Sequence, residues 1–294
     1  MSLPRVLRTI LVLGRFSNLP TVWTNVIAGW FLSGGEWSPE LGWIIAGISL
    51  FYVAGMTLND AADAHWDEVH APERPIPSGA ISRTAVLVLG VVQFGLGIAI
   101  LLSQTTVHPL LWALLLVAIL LYTWLHKRWK GSVLLMGLCR SLAYLGAGSA
   151  VVVQTDSIEV PGILYVVTGA VVLYVAGITL AARSEHLANP TGISFLNRIF
   201  LMLPVLFPLF AYRTVPSTTP HLALVIVGVF GIWSWLVLTR TALREKVPKG
   251  IAFAIAGIAF YDAALVAFAD WRAAVVCLAC FVLTLGAQRV IPAT

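Results

Sequence analysis

The sequence predicts an all-α integral membrane protein, a polytopic bundle of nine or ten transmembrane helices. Three observations carry this. The chain is 59% hydrophobic and only 11% charged, with a mean hydropathy of +0.92, a balance that soluble domains do not reach. Its apolar residues gather into ten runs, most near the ~20 residues that a spanning helix needs. Lys and Arg fall on alternate connections between those runs, as they do when one face of a membrane protein meets the cytoplasm.

The runs cover roughly 17–34, 41–58, 84–103, 107–125, 132–153, 161–182, 195–212, 221–239, 250–269 and 272–290. Before the first, residues 1–16 carry Arg5, Arg8 and Arg15 around a short apolar stretch with no small-residue cleavage site, which reads as a retained cytoplasmic arm. The first run holds Asn18 and Asn25, seven apart on one helical face, suited to lining a cavity or to hydrogen bonding between helices. The fifth and ninth contain Arg140 and Asp262; a charge within a span is a functional candidate by default, and a structural ion pair is the alternative. Only Asp270 and Trp271 separate the last two runs, so nine and ten spans both remain open. Most of the eleven tryptophans lie near run ends, as in an interfacial belt.

With these spans, fifteen of the eighteen basic residues lie on one side, which places the amino terminus and the 59–83 loop in the cytoplasm. The same loop placement accounts for the net charge of +5 and argues against nucleic-acid binding. Little chain remains for a soluble domain, so residues 1–294 read as one membrane domain. Cys139, Cys277 and Cys280 all lie in apolar runs, and without a second pair or a nearby histidine they read as packing residues.

The informative polar stretch is 59–79, which holds five of the thirteen acidic residues. If the second helix continues through it, Asn59, Asp63 and Asp67 fall at i, i+4 and i+8 on one face, with Asp60 beside them. Such a cluster repels itself unless a cation neutralises it. All-oxygen ligands suit the hard cation Mg²⁺, which shares its coordination with water and a substrate diphosphate. Arg74 adds a fixed positive fork suited to phosphate. The bland reading is a solvated acidic loop at the membrane edge.

The chain also repeats itself. Residues 52–58, Tyr-Val-Ala-Gly-Met-Thr-Leu, recur at 174–180 as Tyr-Val-Ala-Gly-Ile-Thr-Leu, an offset of 122. An internal repeat in a membrane fold places a shared site between the halves. Continuing the register pairs Asp63 with Glu185, Asn59 with Ala181, Asp60 with Ala182 and Asp67 with Asn189, so the second copy keeps one carboxylate and adds Arg183.

The Asn59, Asp63, Asp67 pattern followed by Arg74-Pro75-Ile76-Pro77-Ser78-Gly79 resembles the first aspartate-rich motif of the UbiA superfamily of intramembrane prenyltransferases. Arg15 with Asn18 to Asn25, Tyr122 with Lys127, and the acidic loop after the sixth run add weaker matches in the same order. The resemblance implies a helical bundle around a central cavity, with two cytoplasmic loops that hold Mg²⁺ and the diphosphate of an isoprenoid donor. It implies transfer of the prenyl group to a lipophilic acceptor, often aromatic. The second loop, Ala181-Ala182-Arg183-Ser184-Glu185-His186, departs from the usual second aspartate-rich motif and in this resembles the EboC-like branch. A second metal is therefore in question.

On this reading Asn59, Asp63 and Asp67 hold the metal, Asp63, Asp67, Arg74 and Glu185 serve catalysis, and Asp60, Arg74, Arg183, Lys127 and Lys130 meet the diphosphate. Asn18, Asn25, Tyr122 and Arg140 face the remainder of the substrates. Loop topology alone also explains Lys127 and Lys130, and the histidines read as surface residues. Three rivals stand beside prenyl transfer: a terpene cyclase on the same scaffold, a non-catalytic relative that binds isoprenoid lipid, and a transporter. The last is disfavoured because the acidic cluster lies at a loop rather than at the membrane midplane.

Overall fold

A computed structural model describes residues 4–152, 160–185, 195–215, 220–242 and 247–292. Among them there are helices and no strands. A short amphipathic helix α1 (Arg5–Leu13) and a 3₁₀ turn at Phe16–Asn18 lead into α2 (Pro20–Leu32) and the long α3 (Pro39–His70). There follow α4 (Arg83–Gln104), α5 (Pro109–Leu125), α6 (Ser132–Val151) and α7 (Gly162–Glu185). The rest are α8 (Phe195–Met202), α9 (Phe207–Thr214), α10 (Pro220–Ala242), α11 (Val247–Val266) and α12 (Trp271–Ala287).

The helix starts are written locally. Pro20, Pro39 and Pro109 occupy first helical positions, where their missing N–H costs nothing. Side chains of Ser38, Ser82 and Asp270 accept the exposed backbone N–H groups of Leu41, Ala85 and Ala273. The Asp270 cap makes a clean start after α11, so α11 and α12 are separate helices packed as a hairpin. The seventh apolar run differs from the single span expected over 195–212. Pro204 and Pro208 break it into α8, a 3₁₀ segment Leu203–Leu206 and α9, because each removes a donor and clashes with the preceding turn.

Among the described residues six helices can cross a membrane by length and composition: α3, α4, α6, α7, α10 and α11. α5, α12 and the segment Arg198–Ala211 are apolar but shorter. The chain is thus an integral, multi-pass membrane protein. Its lipid-facing surface is seen in α4, which exposes Val88, Val91 and Val92. At the centre lies α2, with twelve of its thirteen residues buried, packed on α3, α6, α11 and α12. Its approach to α6 is close: a Cβ on Gly29 would lie 2.7 Å from the Tyr144 Cα. Gly148 of α6 meets the same crossing from the other side, within contact of Ser33 and the Gly29 carbonyl. Small residues at this crossing let two backbones touch.

The internal repeat falls on α3 and α7. Its equivalent pairs Met56 with Ile178 and Asp60 with Ala182 straddle one central region: Met56, Ile178 and Ala182 line the same cavity, and Asp60 stands at its mouth beside Arg15.

Candidate active site

α3 runs unbroken to His70, so Asn59, Asp63 and Asp67 do share a face, and with Asp60 all four are at least nine-tenths buried. Buried carboxylates need partners. Asp63 receives Lys127 Nζ at 2.8 Å and lies 3.1 Å from His126 Nε2, both from the end of α5. Asn59 Nδ2 donates to Asp63 Oδ2 at 3.3 Å. The turn after α3 brings Arg74 back by seven residues, and its NH1 donates to Asp67 Oδ2 at 2.9 Å. Asp60 is approached less closely, by Arg15 at 3.7 Å and Arg74 at 3.8 Å.

Arg15 reaches this position at a backbone cost. It is the only described non-glycine residue with positive φ, at 44°, a left-handed conformation that costs about 1–2 kcal/mol. Burial is the largest single influence and opposes its charge, but Asp60, Tyr52, Tyr122 and Asp63 together outweigh it and raise its pKa above the ordinary arginine value. Arg8, Arg15, Arg74, Asp60 and Glu73 line a vestibule of about 460 Å³ outside the cluster.

Inside the cluster are two adjoining cavities of about 140 and about 60 Å³. They share Tyr52, Met56, Tyr122, Met136 and Arg140, and otherwise have mostly apolar walls from α2, α3, α5, α6, α7 and α11. Arg15 and Asn18 close the upper cavity towards the acid cluster. Met56 and Met136 at the waist are unbranched and flexible, so this chamber can widen around a long apolar chain.

The structure brings together most of the residues singled out from sequence. Asn59, Asp60, Asp63, Asp67, Arg74 and Lys127 form the cluster; Asn18, Tyr122 and Arg140 line the chamber below it. Asn25 lies elsewhere than on the chamber wall: it is fully buried behind Arg140. Lys130 sits in the exposed turn between α5 and α6. The side chains of Arg183 and Glu185, and His186 with the loop beyond, lie outside the described residues. The reading of His126 as a surface residue is corrected: it is half-buried, stacked on Tyr122 at 5.4 Å and touching Asp63. Its four-residue spacing from Tyr122, with Lys127 adjacent, was the available signal.

Among the described residues no group of three or more His, Cys, Asp or Glu side chains forms a ready metal cage. The donors nevertheless fit Mg²⁺, which is commonly held by one or two carboxylates, water and substrate phosphate. Asn59 Oδ1 and Asp60 Oδ1 are buried oxygens with no hydrogen-bond partner, an expensive state that a cation at this position would relieve.

Comparison with known proteins agrees with this architecture. The sequence profile of the UbiA prenyltransferase family matches residues 20–189. A digeranylgeranylglyceryl phosphate synthase from Natronomonas pharaonis is 33% identical over 104 residues, 35% of this chain and 38% of that protein. A 4-hydroxybenzoate octaprenyltransferase from Pectobacterium carotovorum is 35% identical over 92 residues, 30% of this chain and 32% of that protein. In these alignments the chain spans about a third of the length of the curated relatives it matches. The solved structure of a UbiA homologue from Aeropyrum pernix aligns with a TM-score of 0.67 at 18% identity, over 90% of this chain and 98% of that one. A structure concerning digeranylgeranylglyceryl phosphate synthase aligns at 0.62 with 17% identity, over 90% of this chain and 98% of that one. These structural likenesses concern the fold, and the profile match extends over more than half of the sequence, through α2 to α7 and the whole acid cluster. The chain belongs to the UbiA prenyltransferase family, a family of transferases.

Proposed function

We propose that the protein transfers a prenyl group from an isoprenoid diphosphate to a lipophilic acceptor inside the membrane, with Mg²⁺ as cofactor. The observation that carries this reading is the meeting of a buried all-oxygen cluster with basic side chains at the mouth of an apolar, aromatic-lined chamber.

Each part has a task in the chemistry. The bond between the allylic carbon and oxygen breaks heterolytically, and the electron pair leaves with diphosphate. Arg74, Arg15 and Lys127 are the cations that meet the diphosphate charge as it grows; on substrate entry they exchange part of their pairing with Asp60, Asp63 and Asp67 for phosphate oxygens. Asn59, Asp63 and Asp67 would hold Mg²⁺, which supplies Lewis-acid neutralisation of the same leaving group. Water must be kept from the cation, and the apolar chamber walls do this. The faces of Tyr52 and Tyr122, which line the chamber, suit a passing positive charge. The acceptor nucleophile then bonds to the allylic carbon and gives up its proton.

By the sequence register of the repeat alone, Glu185 is assigned to the site as the one carboxylate of the second motif and Arg183 as a further phosphate contact. The amino terminus and both motif loops face the cytoplasm in this proposal, because Arg74, Lys127, Arg128 and Lys130 lie at the cluster end of the helices. Glu36, Asp270 and Arg272 lie at the other, around a separate cavity.

The test is diphosphate release by purified protein in detergent with a panel of prenyl diphosphates, in Mg²⁺ or EDTA, alongside Asp63→Ala. Membrane extract supplies acceptors, and products are identified by mass. Release that needs both Mg²⁺ and Asp63, with a product mass equal to acceptor plus prenyl group, is expected. Release with a product mass equal to the prenyl group less one proton, and no acceptor added, would make the protein a cyclase. Binding of donor without any release would make it an isoprenoid-lipid-binding protein.

A further inference from the structure

The end of α5 sets an imidazole against the acid cluster. His126 caps that helix, its ring stacked on Tyr122 with the centroids 5.4 Å apart. Its two nitrogens meet different oxygens. Nδ1 lies 3.0 Å from the Thr123 carbonyl oxygen, which can only accept, so Nδ1 carries the ring proton. Nε2 lies 3.1 Å from each oxygen of Asp63. A neutral ring protonated at Nδ1 turns the lone pair of Nε2 towards a carboxylate, an arrangement that holds only if a cation stands between them. That cation is either a second proton or a metal ion.

Four observations favour the metal. A metal-bound histidine gives its other ring N–H to a carbonyl or a carboxylate, which fixes tautomer and ring direction, and the Thr123 bond does this here. Two neighbouring ligands of an octahedral ion, each ~2.1 Å from it, stand about 3.0 Å apart, close to the spacing of His126 Nε2 from the Asp63 oxygens. Asn59 turns its Nδ2 to Asp63 Oδ2 and leaves its Oδ1 buried with no hydrogen-bond partner, an oxygen donor next to the pair. The imidazole also lies at the C-terminal, negative end of α5, where positive charge is favoured. Lys127 reaches Asp63 from the same turn, but an ammonium has no lone pair to give a metal.

We infer that His126 is a metal ligand through Nε2, beside Asp63 and Asn59, and that the site therefore binds divalent transition ions such as Mn²⁺ and Co²⁺ more tightly than Mg²⁺. The inference rests on the metal-dependent reading of the site and names the class of ion that fills it best. Mg²⁺ prefers oxygen and water, whereas imidazole suits the transition ions, so a mixed nitrogen and oxygen set shifts the choice. Mg²⁺, held by the oxygens, remains a weaker occupant. The nitrogen ligand also answers a loss in the second copy of the repeat, which has Ala181 and Ala182 where the first has Asn59 and Asp60.

Electron spin echo spectroscopy of the full-length protein in detergent tests this, with Mn²⁺ as the probe. Samples are prepared with and without a prenyl thiolodiphosphate, a non-ionising donor analogue, and from protein grown on ordinary histidine or on histidine carrying the heavy nitrogen isotope. Wild type should show a directly bound imidazole nitrogen whose modulation changes with the label, a result that needs no variant to fold. His126→Gln should lose it. Calorimetry adds the affinities: His126→Gln should weaken Co²⁺ binding about tenfold or more and Mg²⁺ binding far less, because the imidazole contributes most to the transition ion.

Bound Mn²⁺ without a label-sensitive nitrogen in wild type would overturn the inference, since a proton would then bridge His126 and Asp63 in its place. So would a nitrogen signal that persists in His126→Gln, or equal losses of Co²⁺ and Mg²⁺ affinity. Binding of the thiolodiphosphate with no bound ion of any kind would overturn both the ligand and the metal-dependent reading. A label-sensitive nitrogen in a protein that does not bind the thiolodiphosphate would support the ligand and count against prenyl transfer.

Discussion

Gly29→Ala should be among the most damaging single-methyl changes in this chain, and its effect can be worked from the α2–α6 crossing. The added Cβ would lie 2.7 Å from Tyr144 Cα and 2.8 Å from its carbonyl carbon. Carbons pack at ~3.5–4.0 Å, so α2 and α6 would have to part by about 1 Å. The obstruction is backbone, with no flexible side chain to yield. One turn away on the same face of α2, Asn25 bonds Arg140 at 2.8 Å and Tyr144 at 3.2 Å, so the same movement stretches both contacts. Overpacking of this kind costs about 1–3 kcal/mol, which for a chain of this size lowers the unfolding temperature by about 2–12 °C. Thermal unfolding in detergent followed by tryptophan fluorescence measures it. Gly42→Ala on α3 is the control, since its Cβ would enter open space. Replacing glycine there should leave stability unchanged or raise it by up to roughly 1 kcal/mol. A Gly29→Ala protein that unfolds at or above the wild-type temperature would refute the argument.

Arg74→Gln removes the 2.9 Å contact to Asp67 and should weaken binding of a prenyl thiolodiphosphate about tenfold or more, with Arg74→Lys between, as calorimetry would show. Mg²⁺ should raise the unfolding temperature of the wild type and EDTA should reverse the rise, because the cation relieves the buried oxygens of Asn59 and Asp60; Asp63→Asn should abolish the response in a melting assay. Lys127→Met and His126→Phe each remove one partner of Asp63. In a double-mutant cycle with Asp63→Asn their effects on donor affinity should be strongly non-additive, and simple additivity would show that the contacts are idle.

The legible part of the site was the part carried by one helix. Asn59, Asp63 and Asp67 could be phased because helical period is a local property, and Arg74 because a seven-residue return needs only a turn. The spans were legible for the same reason, since hydropathy is summed along the chain. The break in the seventh run was visible in Pro204 and Pro208, but a hydropathy count ignores the backbone donor that proline lacks. His126 reaches Asp63 across sixty-three residues, from a different helix. No spacing rule covers that. Hydrogen bonds from Arg140 to Asn25 and from Asn25 to Asp262 join three helices, and the left-handed backbone of Arg15 depends on what its side chain finds at Asp60. Both are properties of packing, which sequence period does not encode.

The length of α3 has a consequence for how a product leaves. Asn59 stands twenty residues beyond Pro39, about 30 Å along the axis, close to the full hydrocarbon thickness of a bilayer. The acid cluster therefore begins where lipid ends, and the helix carries it on into the headgroup layer. In the proposed reaction a prenyl diphosphate is moored at that border by its charged head while its tail reaches into the chamber, at the depth of the acyl chains. Transfer cuts the mooring. Diphosphate is left on the aqueous side, and the product, in which the prenyl chain has exchanged its diphosphate for the acceptor, partitions sideways into the leaflet. The same partition that delivers the donor's tail would thus carry the product away, without a separate step to lift it out.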